Sequence, residues 1–257
     1  MKTRIYLIAM FALMMIAGIS CDRSVLPIRG NGDVTTEQRS VSEFDGIANE
    51  GSFDVYIIQD EEYSVSIEAE SNLIGRIRTR VNGGTLEIDT RDNLKPSQPM
   101  KLVIRTPHIN GIRLSGSGLI DFGHIVTASC DIRLSGSGMI LGNIEAENIS
   151  LDISGSGKSE IGLFSQYIEA NISGSGKIYF IGEVNSAKFN ISGSGTIKAY
   201  DLPMHECHAR ISGSGDMYVN VADMLDVTIS GSGSVYYIGY PEIHTNISGS
   251  GRLISMN

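Results

Sequence analysis

Three sets of side chains in this sequence have types and spacing that could do chemistry. His208, Asp226 and His244 recur at intervals of 18 residues, and imidazole with carboxylate is a donor set for zinc or a similar ion. Cys130 and Cys207 could form a disulfide or offer a thiol, and the second lies in the run His205-Glu206-Cys207-His208, whose residue types invite a metal. Tyr179, Tyr218 and Tyr236, with Lys198 in the same series, could present aromatic surface and a cation to a sugar or a protein. Whether any set converges depends on the elements that carry it.

Those elements are set by a repeat. The tetrapeptide Ser-Gly-Ser-Gly begins at Ser115, Ser135, Ser154, Ser173, Ser192, Ser212, Ser230 and Ser248, in steps of 20, 19, 19, 19, 20, 18 and 18 residues. Immediately before it stand Leu114, Leu134, Ile153, Ile172, Ile191, Ile211, Ile229 and Ile247. Three places before the tetrapeptide come Ile112, Ile132, Leu151, Ala170, Phe189, Ala209, Val227 and Thr245, with polar residues such as Arg133, Asp152, Asn171 and Asn190 between the two columns. This is period-two alternation, a strand with one buried face. A second strand follows each tetrapeptide, with Ile120, Ile140, Ile178, Ile197, Met217, Val235 and Leu253 pointing inward and Ser159 as the exception in that column.

A unit of about 19 residues cannot bury its own apolar face and must stack on its neighbours. The expected fold is all-β: a right-handed parallel β-helix, or solenoid, with about 19 residues per coil and an irregular N-terminal capping region. Right-handedness follows from the strong bias of parallel crossovers. Glycine turns the chain at each corner and lets successive corners approach. The serine hydroxyls are expected to hydrogen-bond along the stack.

Stacking decides the three sets. His208, Asp226 and His244 fall four places before their tetrapeptides and form an outward column with steps of about 5 Å. Three side chains on a flat ladder do not enclose an ion, so a solvated polar face is the favoured reading and no cofactor is expected. Within the run at 205–208, Cys207 faces in and His208 out, which spoils a shared metal. Cys130 and Cys207 lie four coils apart, about 19 Å, beyond the roughly 7 Å that a disulfide spans; both read as buried small hydrophobes. Tyr179, Lys198, Tyr218 and Tyr236 lie six places after the start of their tetrapeptides and share one outward column, the expected binding face. Cross-coil stacking alone would also explain it.

The spacings leave no room for the long loops with which a β-helix builds a catalytic cleft, and no nucleophile, base and orienting group converge. No enzyme activity is expected. Residues 1–20 read as a signal peptide, with Lys2 and Arg4 ahead of an apolar run from Ile5 to Ala17. Gly18-Ile19-Ser20-Cys21 has the small residues of a bacterial lipobox, with Gly18 where leucine is usual. Cys21 is the expected lipidation site, which makes the membrane a partner through the lipid. Residues 21–40 lack apolar periodicity and read as a tether. Residues 41–257 form the folded domain, divided into first coils and cap over 41–110 and the tetrapeptide repeats over 111–257. Asn82-Gly83-Gly84 marks a hairpin inside the cap. Without the leader, 18 basic residues face 29 acidic ones, a net charge of −11, which argues against nucleic acid as a partner.

The strand set Phe44-Asp45-Gly46-Ile47 and Phe53-Asp54-Val55-Tyr56-Ile57, followed by repeated Ile-Ser-Gly-Ser-Gly, resembles the auto-transporter adhesin head domain family, or GIN domain, from about Val41 to Asn257. The resemblance implies a secreted or lipoprotein-like β-helical protein of a bacterial cell envelope, anchored at the outer membrane. It implies an adhesin or binding scaffold with a glycan or protein ligand, and supplies no catalytic residues. The alternatives are a purely structural envelope spacer and, behind it, a glycan-acting enzyme.

Overall fold

The structure, a computed structural model, describes residues 26–257. The expected leader and Cys21 lie outside the described residues. The rest is nearly all strand and forms a β-solenoid of about eight turns, with parallel bridges about 19 residues apart.

Cap strands come first: β1 (Ile28–Arg29), β2 (Val34–Arg39), β3 (Gly46–Asn49), β4 (Asp54–Gln59), β5 (Ser64–Glu70), β6 (Ile77–Asn82), β7 (Thr85–Thr90), β8 (Leu94–Lys95) and β9 (Lys101–Thr106). The repeats follow as β10 (Gly111–Gly116), β11 (Leu119–Val126), β12 (Ser129–Gly136), β13 (Met139–Gly155), β14 (Lys158–Gly174), β15 (Lys177–Gly193), β16 (Thr196–Gly213), β17 (Asp216–Gly231), β18 (Ser234–Ile238), β19 (Glu242–Gly249) and β20 (Arg252–Ser255). From β13 to β17 the two short strands expected per repeat merge into one. Bridging to the next coil continues around the bend, as from Met139↔Lys158 to Gly155↔Gly174.

The register is the one the tetrapeptides imply. Leu134 stacks on Ile153, then Ile172, Ile191, Ile211 and Ile229, all buried. Each buried aliphatic side chain of this kind contributes about 1.5–3 kcal/mol. In the neighbouring column Phe189 lies between Ala170 and Ala209, so the two small residues make room for the ring. Phe180 stacks on that ring inside the core, with centroids 5.7 Å apart.

Two glycines per tetrapeptide do different work. The first takes φ between 109° and 133° in all eight copies, a region that L side chains rarely enter. The second is needed for space: a Cβ on Gly215 would lie 2.6 Å from both the Gly195 oxygen and the Ile191 Cγ2. The stack is joined by main chain, with Ser175 N–H donating to Gly155 O at 2.8 Å and Ser194 N–H to Gly174 O at 2.9 Å. The expected hydroxyl ladder is not how the corner is held. Among the described residues one such pair occurs, Ser52 with Ser117 at 2.9 Å, because the backbone donors already satisfy the carbonyls beneath.

The cap begins as an ordinary coil without the tetrapeptide. Ile47 pairs with Ile112 and Val55 with Ile120. Below it the pairing turns antiparallel: β5 covers β9, β2 covers β5 and β6 covers β7, which closes the sheet edge that a solenoid must hide. Gly83 and Gly84, at φ 56° and 77°, make the hairpin at 82–84. The expected tether is corrected over its described part, since Ile28–Arg29 and Val34–Arg39 are strands of the fold. Their anchor is Glu70, fully buried, whose carboxylate accepts from Gly32 N–H at 2.6 Å, Ser97 N–H at 2.8 Å and Ser97 Oγ at 2.6 Å. Backbone pairing and a distant carboxylate, not apolar periodicity, order this segment. At the other end β19 is exposed along its whole length, and Ile243 and Ile247 in the core columns are 39% and 40% exposed.

Candidate functional site

The outward column six places after the start of each tetrapeptide runs Glu160↔Tyr179↔Lys198↔Tyr218↔Tyr236. The coil spacing sets its geometry. Tyr218 and Tyr236 stack face to face, centroids 4.8 Å apart and planes 7° from parallel. Tyr200, two residues beyond Lys198, meets Tyr218 edge-on at 5.5 Å. The Lys198 ammonium lies 5.3 Å from the Tyr179 centroid and 5.8 Å from that of Tyr218, and Lys158 lies 4.9 Å from Tyr179 on the opposite side. The four expected binding residues are therefore one continuous cation–π and stacking ladder. Burial raises the phenol pKa of Tyr200 and Tyr218, reinforced by their neighbours, so both rings stay neutral.

Beside the ladder the solenoid bends, and there the repeat is irregular. The register shifts between Asp121 and His124, between Tyr179 and Ile181, and between Ala199 and Pro203. Gly123, Gly142 and Gly162 come to this bend on three successive coils. With their neighbours they line an open trough of about 680 Å³. Tyr179, Lys198 and Tyr200 wall one end with Ile181 and Asp201, while Asp121 and Asn143 stand toward the other. Sequence reasoning missed the trough. Its signal was a further glycine seven or eight places after the start of three successive tetrapeptides, overshadowed by the tetrapeptide itself.

The remaining candidates do not converge. His208 and Asp226 are in register with His244, and His208 Nδ1 lies 3.4 Å from Asp226 Oδ2. His244 turns instead to Glu242, at 3.4 Å, so the column is two separate exposed pairs. His205 pairs with Asp223 at 2.8 Å, away from Cys207. Among the described residues no three His, Cys, Asp or Glu side chains are placed to hold a metal. Cys130 and Cys207 are free and buried, and burial pushes both thiols up to about 12, so neither is a nucleophile at neutral pH. Among the described residues no helix is long and apolar enough to cross a membrane.

Several solved structures share this architecture. A protein from Parabacteroides distasonis described as a "putative lipid binding protein" is 28% identical with a TM-score of 0.85, over 90% of this chain and 100% of that one. A "putative adhesin" from Parabacteroides merdae is 21% identical with a TM-score of 0.86, over 90% and 99%, and shares the fold. A "putative adhesin" from Bacteroides fragilis is 25% identical with a TM-score of 0.66, over 89% and 100%. No curated protein matches the chain. The model of the family described as "Putative auto-transporter adhesin, head GIN domain" matches residues 43–241, from the first strand of the cap coil to the end of the tyrosine ladder. The chain belongs to the auto-transporter adhesin head GIN domain family.

Proposed function

We propose that the protein is an adhesin-type binding module of the bacterial envelope: a rigid solenoid that presents the Tyr179–Lys198–Tyr218–Tyr236 flank to a glycan or protein ligand and catalyses no reaction. The observation that carries this reading is the ladder itself, in which half-buried rings and an ammonium form a preorganised surface that loses little entropy on binding. Family membership supports it. Cells expressing the full chain should adhere to immobilised glycans or matrix proteins, and replacing Tyr179, Tyr218 and Tyr236 with serine should abolish adherence while leaving the circular dichroism spectrum and melting temperature nearly unchanged. Adherence that survives the triple change rejects this face.

The anchor belongs to the same proposal. With Cys21 acylated, the protein partitions into detergent on phase separation, and Cys21→Ser moves it to the aqueous phase. Proteinase added to intact cells should remove the solenoid if it faces outward; protection until the outer membrane is opened would make it a periplasmic spacer. The relative described as a lipid binder makes lipid vesicles a necessary control. The acidic surface disfavours anionic headgroups.

A further inference from the structure

We propose that the trough beside the ladder is a subsite for a neutral oligosaccharide, laid along the solenoid axis with about one sugar ring per coil; this rests on the adhesin-type reading and names its ligand class. The lining runs from Asp121 through Asn143, Gly162 and Ile181 to Asp201 on consecutive coils, so the depression is elongated along the stack. Its repeat is the strand spacing of about 4.8 Å, close to the length of one ring in an extended glycan. Tyr179 and Tyr200 offer ring surface to the apolar faces of sugars. Asn143 and Asp201 offer planar groups that take two neighbouring hydroxyls at once. Asn143 is only lightly committed, its amide reaching the Gly123 carbonyl at 3.3 Å.

Charge selects against anions. Asp121, Glu160 and Asp201 line the trough, and its one ammonium, Lys198, already sits over two tyrosine rings. Glu160 is paired with Lys158, which leaves Asp121 and Asp201 as the carboxylates that sialylated, sulfated and phosphorylated ligands would meet. A peptide strand finds no hold either. The main chain at this bend belongs to interior strands bridged to coils on both sides, as at Asn143↔Gly162 and Gly162↔Ile181, so no free edge is offered for β-augmentation. An acyl chain needs an enclosed apolar cavity, and this one is open and ringed by polar groups.

The test uses the full chain on an array of neutral oligosaccharides, their sialylated and sulfated counterparts, extended peptides and phosphatidylglycerol vesicles, followed by titration with the best neutral glycan. Gly162→Leu fills the trough. A Cβ there meets the movable end of the Asn143 side chain and makes an ordinary contact with Ile181 Cγ2 at 3.7 Å, so the fold should survive. Expected is selective retention of neutral glycans, loss of at least a hundredfold in affinity for Gly162→Leu, and roughly tenfold for Asn143→Ala and Asp201→Asn. If Gly162→Leu fails to fold, the two exposed-site variants decide on their own. Retention of anionic glycans, peptides or vesicles alone overturns the inference, as does neutral-glycan binding that ignores all three changes. If Tyr236→Ser, which lies outside the trough, abolishes binding while Gly162→Leu preserves it, the ladder reading stands and the trough falls. If no probe binds and cells do not adhere, both fall.

Discussion

At the Ser-Gly-Ser-Gly corner every coil turns through a glycine with φ between 109° and 133°, and each turn rests on main chain of the coil below. A few residues further on, at the second bend, the register slips between coils, and Gly162 lies between Asn143 and Ile181. The first corner tolerates nothing and varies not at all among its eight copies. The second has main-chain bridging that survives irregularity, so its side chains are free to differ, and the trough and the tyrosine ladder adjoin it. Rigidity and variability are divided between two edges of one coil.

The sharpest way to break this contrast is to place a methyl group at each edge. Gly174→Ala imposes a φ of +123° on an L residue and puts its Cβ 2.6 Å from the Gly155 oxygen, main chain that cannot yield. It should cost about 3 kcal/mol or more in chemical denaturation. Gly162→Ala at the other edge should stay within about 0.5 kcal/mol. Equal losses would erase the distinction.

The cap supplies a control in which a charged side chain does what glycine does elsewhere. Glu70 accepts from surrounding N–H and O–H donors, and the Ser97 hydroxyl above all holds its pKa below the usual carboxylate value. A carboxyl with a lowered folded pKa stabilises above its unfolded value of about 4.3, and that contribution vanishes as pH falls through the folded value. Melting temperature should therefore drop more steeply below about pH 4.3 in the wild type than in Glu70→Gln, which should already be less stable at neutral pH. Parallel curves would remove Glu70 from the account.

Two smaller changes sharpen the picture from inside. Ser159 occupies a core position between Ile140 and Ile178 with a buried hydroxyl that has no partner. Ser159→Ala should gain about 1 kcal/mol. Tyr200 likewise buries a hydroxyl without a partner, beside the trough. Tyr200→Phe should gain about 0.5 kcal/mol and leave the Tyr218–Tyr236 stack in place, as read by the melting transition and near-ultraviolet circular dichroism.

Most of the solenoid was legible because one exact tetrapeptide marks the register, and register fixes which residues stack. Leu134, Ile153 and Ile172 could be placed one above another by counting. The same counting put Tyr179, Lys198, Tyr218 and Tyr236 in one column. What could not be counted was missed. Val34–Arg39 is a strand because it finds β5 and a buried Glu70 some thirty residues away, and VTTEQR carries no apolar rhythm to announce it. The trough lies where bulges shift the register between Asp121 and His124 and between Tyr179 and Ile181, a difference of one residue per coil that spacing alone does not resolve. The serine hydroxyls were assigned a bond that the main chain makes instead.

The glycine step has one more consequence, for ancestry. Each coil enters and leaves through the same backbone geometry and touches only the coils beside it, so a duplicated or deleted segment of about 19 residues rejoins the stack without a seam. Gene copying can therefore lengthen this molecule in whole coils, and each new coil arrives with its own stretch of the variable bend. Selection can then edit the variable edge one rung at a time while the frame that carries it is inherited intact.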